Sequence, residues 1–74
     1  MIPPVNDPRW GKVVTGATAF QPTMLATQIL MGRLLVSVKN DRSQENVSRA
    51  ASELRAFFEK YEMIAAGDLA QIFG

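Results

Sequence analysis

The side chains best suited to general acid–base and nucleophilic chemistry are missing from this sequence. Its 74 residues include no His and no Cys, so it offers no imidazole base, no thiol nucleophile and no thiolate or imidazole metal ligand. Glu59 and Glu62 are spaced to share a cation, but no further carboxylates converge with them. The Gly-Lys pair at 11–12 lacks the spacing of a phosphate-binding loop, and Asn6 stands where that motif needs glycine. These patterns predict a non-catalytic protein with no cofactor and no metal.

One local pattern suggests contact with nucleic acid. The run "SQENVSRAASEL" at 43–54 resembles the recognition helix of bacterial helix-turn-helix regulators, where a similar Val-Ser-Arg run is frequent. The resemblance implies that the following residues face the major groove and reach bases and phosphates: Ser43, Gln44, Asn46 and Arg49. The turn before them departs from the family, since Asp41 and Arg42 replace a glycine and an apolar residue. The net charge of +1 is also far from that of a basic nucleic-acid binder.

Length and charge favour a chain that associates with itself or with a partner. A domain of 74 residues buries a small core, and without disulfide or metal a second subunit is the simplest further source of stability. Residues 1–42 carry five basic and two acidic groups, whereas residues 43–74 carry three and five. Opposite charges of this kind favour antiparallel docking of two copies. The N-terminus has no secretory signal pattern, which together with the lack of Cys predicts a cytoplasmic protein.

The elements predicted around these residues define an all-α protein. Residues 1–20 carry three prolines and predict an extended N-terminal arm, with at most one short strand at Lys12–Thr15. Residues 21–74 predict a helical hairpin domain, with one helix at about 22–38 and a second at about 42–66. Asp41 with Gln44, or alternatively Ser43, provides the expected N-cap of the second helix. A short C-terminal helical turn follows Gly67.

The first predicted helix contains the most apolar run of the chain, Met24 to Val38, and is apolar nearly all round. Such a helix is buried or spans a membrane. The run is shorter than the roughly 20 residues of a span and contains Arg33, so we expect no membrane span. The second helix covers one side only, and Trp10 is expected to pack on another side, near Leu25, Ile29 or Leu34. A second copy would cover the remainder and complete a dimeric helical bundle, with Gly32 permitting close approach.

The function predicted from this surplus of apolar surface is protein–protein interaction. The chain would be an accessory or modulator protein, acting as a homo-oligomer or on a larger protein partner, with chaperone-like proteins among the possibilities. The predicted interaction surface comprises Trp10, Met24, Ile29, Leu30, Met31, Leu34 and Phe73. A dimeric DNA-binding regulator that uses the second helix is the alternative, and a membrane-associated small protein is the third.

Overall fold

The computed structural model describes residues 2–16, 24–63 and 67–73, and these residues form helices and turns with no strand among them. The helices are α1 (Arg9–Gly16), α2 (Leu25–Val36), α3 (Gln44–Lys60) and α4 (Asp68–Phe73). A π-helical turn, Ser37–Asp41, continues α2 directly. α2 and α3 form a hairpin, while α1 packs against α4 and the π-helical turn. The predicted all-α helical hairpin is therefore confirmed.

The helix boundaries differ from the predicted ones at both ends of the hairpin. The helix predicted at 22–38 corresponds to α2 and the start of the π-helical turn, and residues 22–23 lie outside the described residues. The helix predicted at 42–66 is shorter, because α3 ends at Lys60 and Glu62 has a left-handed backbone with φ of 52°. The rest of that prediction, 64–66, also lies outside the described residues.

The strand predicted at Lys12–Thr15 is wrong, because helix α1 occupies this part of the arm. The Asp7 carboxylate accepts the backbone N–H of Arg9 at 2.9 Å, as an N-cap residue does. Pro8 follows at the first helical position, where its missing N–H is not needed. The side chains of Trp10 and Val13 lie on one face of α1 and are buried in the core. Within 2–16, the described part of the predicted arm, residues 2–8 are non-helical, and residues 17–20 lie outside the described residues.

The connection between α2 and α3 is fixed by Arg42. Its N–H donates to the carbonyl of Ser37 at 2.7 Å and closes the wide turn, while its own backbone is left-handed with φ of 55°. Ser43 has the extended backbone of an N-cap but makes no side-chain capping bond. The capping box expected from Asp41 and Gln44 is also not formed, because the Asp41 carboxylate accepts a hydrogen bond from the Asn46 side chain instead.

All four helices contribute to one hydrophobic core. The α3 positions 47, 51, 54 and 58, spaced by four, three and four, are buried as their periodicity predicts, whereas Tyr61, the next position of the same spacing, lies past the end of α3 and is 49% exposed. They meet Met31 and Leu34 of α2, and the rings of Phe58 and Phe73 pack edge-on with centroids 6.0 Å apart. No helix among the described residues has the length and apolar character needed to cross a bilayer.

Candidate interaction surface

One line of apolar residues on α2 faces away from the core. Leu25, Ile29, Gly32 and Val36 fall within about 60° of one another around the helix axis, and we call them the outer stripe. Leu25 is 70% exposed, Ile29 49% and Val36 57%. A Cβ placed on Gly32 would meet no other atom within 4 Å. The stripe is therefore three large aliphatic side chains around an open notch.

The spacing of the outer stripe is that of a coiled-coil seam. Steps of four, three and four residues reproduce the a and d positions of a heptad, which place apolar side chains against a partner helix. The opposite side of α2 carries Thr27, Met31 and Leu34, which are buried in the core of the chain. α2 is apolar nearly all round because it has two separate apolar faces, and only one of them is covered by its own chain.

The uncovered face retains enough apolar area to contribute to binding. Complete burial of a Val, Leu or Ile side chain contributes about 1.5–3 kcal/mol. With about half to two-thirds of each side chain still exposed, covering the stripe would contribute roughly 3–5 kcal/mol per chain. Association itself costs about 4 kcal/mol or more. A partner that also buries apolar surface of its own is therefore needed for a stable complex.

A groove between α2 and α3 borders the stripe on one side. Its volume is about 430 Å³, and Gly32 and Val36 belong to both its lining and the outer stripe. Arg33 and Glu53 form an ion pair across it at 3.6 Å. Both side chains are well exposed, so the pair adds little stability. The ion pair forms a polar rim without net charge beside the outer stripe.

The residues predicted from the sequence as an interaction surface do not stay together in the structure. Met24 and Ile29 are exposed and Leu30 is half-buried, whereas four members lie in the core of the chain instead: Trp10, Met31, Leu34 and Phe73. Met31 and Leu34 lie on the side of α2 that packs against α3, and Trp10 and Phe73 belong to α1 and α4, which contribute to the same core. Of the seven, only Ile29 belongs to the outer stripe. Leu25, Gly32 and Val36 were not included, although their spacing contains the signal.

Trp10 is docked in the core, as expected, and one of its three expected neighbours lies there with it. Its indole N–H donates to the carbonyls of Pro4 at 3.0 Å and Pro3 at 3.3 Å. Leu34 belongs to the same core cluster, whereas Leu25 and Ile29 remain exposed. The buried ring holds residues 2–8 onto the helices without covering the outer stripe.

Three of the four residues suggested for nucleic-acid contact, Gln44, Asn46 and Arg49, make side-chain contacts within the chain. The Gln44 side chain accepts the N–H of Val5 at 2.6 Å and donates to the carbonyl of Pro3 at 3.2 Å. Asn46 donates to Asp41, and Arg49 pairs with Glu45 at 2.9 Å. Ser43 is half-buried at the start of α3. In this arrangement the polar groups at the start of α3 organise the turn and the N-terminal segment.

The clearest electrostatic feature lies at the start of α1, away from the stripe. The Arg9 guanidinium donates to the Asp7 carboxylate at 3.0 Å, and these hydrogen bonds hold the pKa of that carboxyl below its usual value. Within the described ranges, no three His, Cys, Asp or Glu residues are grouped to hold a metal ion. The charged groups shown here stabilise helix ends and turns.

Comparisons with known proteins give no assignment for this surface. No family model, no curated protein and no solved structure matches the chain. The exposed chemistry of α2 is therefore the basis for a functional proposal.

Proposed function

We propose that this chain is a non-catalytic protein–protein interaction module that docks through the outer stripe of α2. The observation that carries the proposal is the line of Leu25, Ile29 and Val36, exposed at heptad spacing around the notch at Gly32. Isolated exposed aliphatic residues are common, but a contiguous apolar strip with a polar rim is typical of a binding surface.

The shape of the stripe fits an apolar helix as the partner. A helix presents side chains at steps of three and four, and these interdigitate with the same spacing on α2. The notch at Gly32 has room for one protruding side chain of the partner. Arg33 and Glu53 at the edge would stay solvated and would limit how the partner is oriented.

Site-specific photo-crosslinking in cells of the native host tests the proposal. A photo-reactive residue replaces Ile29 in one variant and Ala56, an exposed residue of α3, in the control. We expect defined protein adducts from position 29 and none from position 56. Adding Leu25→Glu and Val36→Glu should abolish the adducts, while circular dichroism shows unchanged helicity. Equal labelling from both positions, or adducts that survive the two Glu substitutions, would refute docking through the stripe.

A further inference from the structure

We infer that the partner of the outer stripe is a second copy of this chain, with the two α2 helices packed antiparallel about a twofold axis between positions 30 and 31. This inference rests on the proposed function and specifies its partner. A twofold axis at that point places Leu25 opposite Val36 of the second copy. It also places Ile29 opposite Gly32 of the second copy, and the reverse contacts follow by symmetry.

The stripe is complementary to itself in this register. The Ile29 side chain projects from one helix where the other has no side chain, since nothing lies within 4 Å of a Cβ at Gly32. Antiparallel coiled-coil layers pair a positions with d positions, and the steps of four, three and four supply such pairs in all four layers. A parallel pair would instead set Gly32 against Gly32 and leave a void between the helices.

The charges of α2 are compatible with a second copy. Arg33 is the one charged residue in the sequence of α2, and Glu53 of its own chain lies 3.6 Å away. The outer stripe itself is uncharged, so self-association buries no charge. The two Arg33 side chains would sit on opposite sides of the twofold axis, and antiparallel helices also align their dipoles favourably.

The outer stripes of two copies have equal lengths, but the area that they can bury predicts a weak dimer. The eleven helical steps from Leu25 to Val36 span about 16 Å, and a copy of α2 has the same length. A standard interface covers about 800 Å² per partner, which is about one sixth of the 4656 Å² surface of this chain. A contact centred on one 12-residue helix falls at the small end of interfaces. Set against the cost of association, covering two such stripes leads us to expect a dissociation constant of about 100 μM to 1 mM.

Sedimentation equilibrium and disulfide trapping test the dimer and its direction. The chain has no Cys, so Leu25→Cys and Val36→Cys variants can be mixed and oxidised. The antiparallel register predicts a mixed disulfide between the two variants. It predicts little linkage of either variant to itself, because two copies of position 25 would be about 16 Å apart, beyond the roughly 7 Å Cα limit of a disulfide. Ala56→Cys serves as the control for random collision.

A second variant tests the notch. Gly32→Leu fills it and should weaken dimerisation at least about tenfold, whereas Ser52→Leu, at an exposed position of α3, should not. Circular dichroism checks that both variants are folded. Rapid self-linkage of Leu25→Cys would overturn the antiparallel pairing, and a protein that is still wholly monomeric at about 1 mM would overturn the second copy as partner. If the wild type proved monomeric, crosslinks from position 29 to a different protein would still support the proposed function. Absence of any such crosslink would refute both the proposed function and the dimer.

Discussion

Asp7 makes two kinds of contact at the start of α1, a capping hydrogen bond and an ion pair. Its carboxylate accepts the Arg9 N–H at 2.9 Å and the Arg9 guanidinium at 3.0 Å. An N-cap carboxylate also interacts favourably with the positive end of the helix dipole. These contacts favour the charged form and lower the pKa of Asp7, with the side-chain hydrogen bond from Arg9 as the largest cause.

The lowered pKa makes the stability of α1 dependent on pH. A carboxyl whose pKa is lower in the folded state stabilises that state above its ordinary value of 3.8, and the contribution disappears as the pH falls through the folded-state pKa. Asp7→Asn retains a capping oxygen but loses the charge. We expect it to lower Tm at neutral pH and to approach the wild type in acid. Thermal unfolding of both proteins from neutral to strongly acidic pH measures this, and a difference that is constant or grows toward acid would contradict it.

Single residues explain why α1 was missed in the sequence. Three prolines in the first eight residues suggested an extended arm, but Asp7 followed by Pro8 is also a helix start, with an N-cap before a first-position proline. The buried Trp10 and Val13 are three residues apart, as a helix requires. The segment 9–16 is too short for its sequence pattern to distinguish a helix from an extended arm. A helix of this length depends on tertiary packing, which α4 and the π-helical turn provide.

At the scale of elements, the hairpin was predictable and its outer stripe was only partly so. The α3 pattern of apolar residues at steps of four and three opposite charged residues is a direct helix signal. The i,i+4 pairs Glu45–Arg49 and Arg55–Glu59 form, whereas Glu53, which is also spaced to pair with Arg49, pairs with Arg33 of α2. In α2 the residues are apolar on both sides, so periodicity could not show which face meets α3. That choice depends on the tertiary packing of the whole chain, which a local pattern does not contain.

The turn between α2 and α3 gives a prediction about Arg42. Its guanidinium donates to the carbonyls of Val5 at 2.8 Å and Val38 at 3.1 Å, and its backbone is left-handed. Arg42→Ala and Arg42→Gly both lose these hydrogen bonds, but glycine adopts this backbone without strain. We expect both variants to be less stable than the wild type, with Arg42→Ala below Arg42→Gly by about 1 kcal/mol. Urea unfolding measures the order, and an alanine variant as stable as the glycine variant would contradict it.

The whole molecule closes its core within one chain. Its accessible surface of 4656 Å² is near the about 4500 Å² expected for a folded monomer of 8.2 kDa. The sequence suggested that α2 needs a second copy to be covered. α1 and α4 contribute Trp10, Ile72 and Phe73 to the core, and the second copy stays a prediction. The large apolar side chains left exposed on α2 are those of the outer stripe, so we expect folding and association to be separable in this protein.

Substitutions on the two faces of α2 should therefore affect different properties: those on the outer stripe should weaken association, and those on the buried face should lower the stability of the fold. Leu25→Glu with Ile29→Glu changes exposed positions and should leave the Tm of the dilute protein nearly unchanged. Leu34→Ala removes a fully buried side chain and should cost about 2–5 kcal/mol, a large part of the stability of a domain this size. The wild-type Tm should rise with protein concentration because a dimer binds the folded state, and the double Glu variant should lack this rise.

Calorimetric scans at low and high protein concentration separate the two effects. The wild type and the double Glu variant should converge on dilution, because both then unfold from the monomer. Leu34→Ala should remain less stable at every concentration, since its loss lies in the core that each chain closes for itself. If the double Glu variant were unfolded when dilute, the outer stripe would be needed for folding, and the separation between the two faces of α2 would be wrong.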